Sequence, residues 1–226
     1  IDLTCRVLHN LIAPVLPHAS TDAELPHLNT VHLQARNGLR GQTLYAVATD
    51  RLTMAATRHP LEEFGEDFDV TLDRLDLVAA LKLFGFTKDE DPKLTLIVDK
   101  FPVPVGGDKT IDGMGLRIDG EDGTRLVLHD HSRPDLKPFA NWRRMIGTVV
   151  HRSTVPATPA LILTPSILPR WAKAAGKGER LMVFVGPEQG DPILFTVEGR
   201  FVGIWATGTP LDGDEATAMS ASPWRR

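Results

Sequence analysis

The stretch from residue 43 to residue 55, Thr-Leu-Tyr-Ala-Val-Ala-Thr-Asp-Arg-Leu-Thr-Met-Ala, constrains the fold more than any other. Apolar residues alternate with small or polar ones up to Ala48, Thr49-Asp50 interrupts, and Leu52 and Met54 restart the alternation. A period of two sends successive side chains to opposite faces of a strand, so this pattern predicts a β-hairpin with one buried face. A lone hairpin is at best marginally stable in water, so the chain must supply further strands and a layer to cover that face.

The rest of the sequence supplies both. Leu8, Leu11, Ile12, Val15 and Leu16 recur at helical spacing, with Thr4 placed as an N-cap. Pro14 sits inside that pattern and lacks an N–H, which kinks or shortens the helix. Leu28, Val31 and Leu33 alternate and predict a strand over 27–34, and Asn37-Gly38 marks a turn. Residues 67–71 read as a short strand. Asp73 then caps a helix through Leu75, Val78, Ala79, Leu81 and Leu83 that closes at Gly85. A strand over 93–98 and a hairpin of 116–118 with 125–128 follow. A helix followed by antiparallel strands thus occurs twice, as two β-α-β-β-β units.

A third, shorter unit comes after a proline-rich linker at 134–138 and a stretch of little periodicity at 149–159. It comprises a strand at 161–163 and Thr164-Pro165 as a helix start. Its helix runs through Ile167, Leu168, Trp171, Ala172 and Ala175 to Gly176. Strands at 181–185, 193–197 and 201–205 complete it, and residues 211–226 read as a flexible polar tail.

Composition removes several classes of function. Cys5 is the single cysteine, which excludes an intrachain disulfide and a cysteine metal cluster. No apolar run reaches the ~20 residues of a membrane span, and a cytoplasmic setting fits. The net charge is −4, so any contact with DNA must come from a local basic patch on an acidic body. The sequence contains no Gly-x-Ser-x-Gly and no phosphate-cradling glycine loop; Gly106-Gly107 before Asp108-Lys109-Thr110 lacks the strand-to-helix context of one. The expectation is a protein that is not an enzyme and needs no cofactor. One cluster keeps a rival open: His129-Asp130-His131 with Asp135 could complete a metal site for a metal-dependent hydrolase, although one short His pair lacks a fuller ligand set.

Two segments carry a family resemblance. Ala48-Thr49-Asp50, with Ala55 five positions on, resembles the hairpin turn of bacterial DNA sliding clamps, the β subunit of the replicative polymerase. Residues 139–147, Phe-Ala-Asn-Trp-Arg-Arg-Met-Ile-Gly, resemble the clamp interdomain segment Phe-Pro-Asp-Tyr-Arg-Arg followed by two hydrophobic residues and Pro. The resemblance implies an α+β, DNA-clamp-like fold of repeated β-α-β-β-β units, antiparallel sheets and helices on one face. Residues 1–138 are similar to the middle clamp domain, and 139–210 to a shortened half of the last one. Three such units cannot close the family's ring as a dimer. After Asp50 the family's Gly-His/Tyr-Arg is replaced by Arg51, Leu52 and Thr53.

Two sets of site residues follow from the resemblance. A partner-peptide pocket would be lined by Leu28, Thr49, Arg51, Leu52, Met54, Met145, Val202, Ile204 and Trp205. Met and aromatic side chains suit an apolar peptide groove, while Leu28, Met54, Val202 and Ile204 would serve equally as core. A DNA-facing set would be Arg6 and His9, then Arg74 and Lys82, then Arg170, Lys173 and Lys177, one group per helix. Loose phosphate contacts are what a sliding protein requires, and an ordinary solvated helix face carries the same residues. The implied function is a sliding-clamp-like processivity or tethering factor. It would hold double-stranded DNA, bind polymerase or repair proteins through linear peptides, and act as a homo-oligomer. The alternative is a regulatory, ligand- or peptide-binding module that reuses the fold without a ring.

Overall fold

The computed structural model describes residues 1–39, 41–61, 63–104, 110–131, 141–152, 167–176, 178–186 and 191–206. The first unit comprises β1 (Asp2–Thr4), α1 (Cys5–Ile12), β2 (Thr30–Gly38), β3 (Gly41–Thr49) and β4 (Thr53–Pro60). The second comprises β5 (Phe68–Asp73), α2 (Arg74–Leu83), β6 (Lys93–Pro104), β7 (Thr110–Gly120) and β8 (Arg125–His129). Then come α3 (Trp142–Arg152), α4 (Leu168–Ala172), β9 (Met182–Phe184), β10 (Ile193–Val197) and β11 (Phe201–Trp205). The expected strand at 161–163, the Thr164-Pro165 cap, the 134–138 linker and the 211–226 tail lie outside the described residues.

Local chemistry explains the helices. Thr4 Oγ1 accepts from the Val7 amide and caps α1, which buries Leu8, Leu11 and Ile12. Pro14 prevents continuation, and the chain tightens into a 3-10 turn at Leu16–His18. Asp73 Oδ1 accepts from the amides of Leu75 and Asp76 and caps α2, which turns Leu77, Ala80 and Leu81 inward. Full burial of side chains such as these stabilises the fold by roughly 1.5–3 kcal/mol each.

The two sheets are built by exchange. A four-stranded sheet has the order β1-β6-β7-β8, and a seven-stranded sheet has the order β5-β2-β3-β4-β11-β10-β9. The first strand of each unit therefore lies in the other unit's sheet: Leu3 pairs with Leu94 and Leu33 with Val70. The third unit adds its strands edge to edge, β11 running antiparallel to β4 with Phe201 opposite Thr57 and Trp205 opposite Thr53. One continuous core joins α1, α2 and α4 to the inner faces of both sheets. Trp171 of α4 stacks on Phe195 at 4.1 Å between ring centroids and lies against Gly203, where a Cβ would overlap its ring.

Three expectations are corrected. Residues 26–28 form a 3-10 turn, so Leu28 is not in a strand; Pro26 suits a helical first position. The strand that a β-α-β-β-β unit requires ahead of α1 is Asp2–Thr4, because β6 offers it a partner. The helix expected to reach Gly176 ends at Ala172. The segment after Asn141 is a regular helix, α3, begun by the Asn141 side chain accepting from the Arg144 amide at 3.2 Å.

Candidate functional site: an apolar groove beside helix α3

The seven-stranded sheet has a second apolar face. Alternation in β3, β4, β10 and β11 sends Val47, Met54, Ala56, Leu194 and Ile204 away from the main core, where they meet Trp142, Ile146 and Val149 of α3. Arg143 anchors the helix: its guanidinium lies 4.6 Å from the Tyr45 ring centre and 4.2 Å from that of Trp142, and it donates to Gln34 Oε1.

Along one flank of α3 this face opens into a groove of about 340 Å³. Its floor is Met54 and Ile204, directly opposed across the β4–β11 pair. One wall is the β3–β4 turn with Thr49, Arg51 and Leu52; the other is Arg144, Met145, Thr148 and Val149. Leu52 and Met145 stand at the rim, 56% and 43% exposed, whereas Met54 is 2% exposed. Arg51 and Arg144 flank a mostly apolar lining. Such a shape suits an extended segment with apolar anchors and a nearby carboxylate.

The turn that forms the wall is held by its own polar groups. Asp50 Oδ1 accepts from the amides of Leu52 and Thr53 at 3.0 and 2.7 Å and from Thr53 Oγ1 at 3.0 Å. Thr49 Oγ1 donates to the Thr53 carbonyl at 2.8 Å, and Arg51 adopts φ +79°. The Ala206 amide donates to the Leu52 carbonyl at 2.9 Å and ties the turn to the end of β11. Burial alone would raise the Asp50 carboxyl, but hydrogen bonds from Arg170 and Thr53 hold it below the usual carboxylate range.

Six of the nine residues expected to form a pocket therefore line one groove: Thr49, Arg51, Leu52, Met54, Met145 and Ile204. Val202 lines a second cavity on the opposite flank of α3, with Tyr45, Arg58 and Trp142. Trp205 faces the main core near Phe195, and Leu28 lies in the 3-10 turn outside the groove lining. Arg144, Thr148 and Val149 were not foreseen. Their signal was the spacing of Trp142, Ile146 and Val149 at i, i+4 and i+7, which places a helix there.

The expected DNA-facing residues are not all available for phosphate. Arg6 pairs with Asp91 at 3.3 Å and donates to the Thr87 carbonyl at 3.1 Å. His9 Nε2 lies 3.1 Å from the Phe84 carbonyl. Arg170 pairs with Asp50. Arg74 buries its Nε, Lys82 and Lys173 are exposed, and Lys177 lies outside the described residues. The outward side of α2 presents Leu75 and Leu83 rather than a row of cations. At the His cluster, Asp130 accepts from the Thr71 amide, the His129 ring buries its Nδ1, and Asp135 lies outside the described residues. Among the described residues no three His, Cys, Asp or Glu side chains are grouped to hold a metal ion, and no helix is long and apolar enough to cross a membrane.

Exchanged first strands, antiparallel sheets joined at their edges and α1, α2 and α4 gathered on one core define the sliding-clamp type of α+β fold. The chain is similar to the DNA polymerase III β subunit of Thermotoga maritima, with 11% identity, a TM-score of 0.62, and coverage of 91% of this chain and 64% of that one. It is similar to the β subunit of Streptococcus pyogenes at 16% identity and TM-score 0.59, over 91% and 64% of the two chains. The β subunit of Pseudomonas aeruginosa matches at 14% identity and TM-score 0.58, over 96% and 67%. The chain thus spans about two thirds or less of the length of these clamps. Comparison with protein-family models gave no match, and comparison with curated proteins gave none.

Proposed function

We propose that this chain is a non-enzymatic, clamp-type tethering protein that captures a linear peptide of its partners in the groove beside α3. The observation that carries this reading is the Met54–Ile204 floor, bounded on one side by the β3–β4 turn and on the other by α3. In this reading residues 1–138 act as a clamp-like domain and 139–210 as a shortened half domain that completes the groove. The partners are DNA polymerase or repair proteins on double-stranded DNA in the cytoplasm.

The test is calorimetric titration of the full chain with a short peptide carrying a Gln and spaced Leu and Phe anchors. A micromolar Kd, near −8 kcal/mol, is expected, since a few apolar anchors must offset the ordering of the peptide. Absence of heat across a panel of such peptides removes the reading.

A second reading, a peptide-binding module that does not hold DNA, is favoured by the ion-paired Arg6 and Arg170 and by the apolar outer side of α2. Duplex DNA separates the two. Tethering on DNA requires association that weakens steeply with salt, and the module requires none at low salt.

A further inference from the structure

Helix α3 separates two cavities on one face of the seven-stranded sheet. The opposed pair Met54–Ile204 floors the peptide groove on one flank. Two residues further along the same strands, the next row on that face is Ala56–Val202–Thr196, running across β4, β11 and β10. Ala56 has only a methyl where Met54 has a long side chain, and above this row lies a cavity of about 520 Å³. Sites for small ligands fall in the range of roughly 300–1,000 Å³. Its wall is Ile146 of α3 with the rings of Tyr45 and Trp142.

That wall is held in place by its own contacts. The Tyr45 and Trp142 ring centres are 5.3 Å apart, and the Arg143 guanidinium lies over both rings. Two polar groups of the lining are unspent. Thr196 Oγ1 is buried with no hydrogen-bond partner among the described residues. Arg58 is exposed; its Nε donates to the Gly199 carbonyl at 2.6 Å, and among the described residues no carboxylate pairs with it. Arg200, the other cation of the lining, is already neutralised, its Nε donating to Glu179 Oε1 at 3.0 Å. The lining itself contains no carboxylate.

We propose that this cavity binds a small aromatic carboxylic acid, its ring between Val202 and the Tyr45–Trp142 wall and its carboxylate on Arg58. Fixed aromatic and branched aliphatic side chains favour a flat apolar body. With Arg58 Nε tied to the backbone, its two Nη groups remain as a fork that matches both oxygens of a carboxylate. An uncompensated guanidinium beside a lining without carboxylates selects an anion over a neutral or cationic ligand. A polar substituent on the ring would give Thr196 Oγ1 the partner it lacks. The inference does not rest on the peptide groove, whose lining shares no residue with this one.

The test is calorimetric titration of the full chain with 2-naphthoate and, as its neutral counterpart, 2-naphthamide. The wild type should bind naphthoate with a submillimolar Kd and the amide roughly tenfold more weakly, since only the acid forms a charge-assisted pair. R58Q removes the charge from an exposed side chain. It should weaken naphthoate by about the same factor and erase the preference for acid over amide, with an unchanged circular dichroism spectrum. V202F, which fills the slot, should weaken both probes. No binding of naphthoate to the wild type, equal affinity for the two probes, or an acid preference that survives R58Q overturns the inference; so does a V202F that binds both probes as the wild type does. If V202F fails to fold, the R58Q comparison decides alone.

Discussion

The Arg170 guanidinium closes on Asp50 Oδ2 across 120 residues of sequence, and so fastens α4 to the turn that walls the groove. The same guanidinium donates to Thr53 Oγ1 at 3.2 Å. The Asp50 side chain is 10% exposed, so the pair is largely withdrawn from solvent screening.

Removal of one partner should therefore cost more than a surface ion pair would. Arg170→Ala is expected to destabilise the fold by about 2 kcal/mol, the range for a hydrogen bond to a charged group. Asp50→Ala should cost more, because it also frees the Leu52 and Thr53 amides. A double-mutant cycle by urea denaturation should return a coupling above 0.5 kcal/mol. Additive losses would mean that the pair does not fasten α4 to the turn.

Thr53 also reaches His18. The His18 ring is fully buried, with Nδ1 3.1 Å from Thr53 Oγ1. The Thr53 hydroxyl gives its proton to Asp50 and accepts from Arg170, so His18 donates to it through Nδ1–H. Nε2 is left buried without a hydrogen-bond partner among the described residues. Burial, and then the Arg170 charge, lower the His18 pKa from 6.5 to about 3.

The pH dependence follows from that depression. Above pH 6.5 the ring is neutral in both folded and unfolded chains and contributes no slope. Between pH 6.5 and about 3 the unfolded chain takes up a proton that the folded chain refuses, so stability falls as pH falls. The slope from this one group approaches about 1.4 kcal/mol per pH unit. Burial also lowers His32 and His59, so the wild-type slope is compared with that of His18→Gln, which keeps a donor and does not titrate. Denaturation midpoints at pH 7.5, 6 and 5 should converge between the two proteins as pH falls. Parallel curves would show that His18 takes up its proton in the folded state.

The caps at Thr4 and Asp73, the 43–55 hairpin and the three strands of the last unit were legible because each is encoded within a few residues. The exchange of β1 and β5 between units was not. Alternation tells which face of a strand is buried, but not which strand lies beside it. Arg170 was expected to face DNA because its partner lies far away in sequence. α3 was hidden differently: its segment was matched to a family pattern as an interdomain connection, and the Trp142, Ile146 and Val149 stripe was not weighed. That omission removed one wall of the groove from the expected site, although Met145 had been placed there by the motif.

The groove itself separates into floor and rim, and the two should respond differently to the same charge. Met54 is buried against Ile204 and the α3 side chains, so Met54→Glu places a carboxylate among apolar groups with little access to water. Without a compensating hydrogen bond the expected loss of stability is roughly 2–5 kcal/mol, visible as a lowered Tm. Leu52 and Met145 stand exposed at the rim, where Leu52→Glu and Met145→Glu should change stability by less than about 0.5 kcal/mol. Each rim substitution should still weaken an apolar peptide at least tenfold, since the anchor would lie beside a hydrated carboxylate. Calorimetry and thermal melts on the three variants give both quantities. If both rim variants bind like the wild type, the peptide does not lie between the turn and α3. If Met54→Glu melts like the wild type, its side chain can turn out to solvent, and the floor is not the packed seam between β4 and β11.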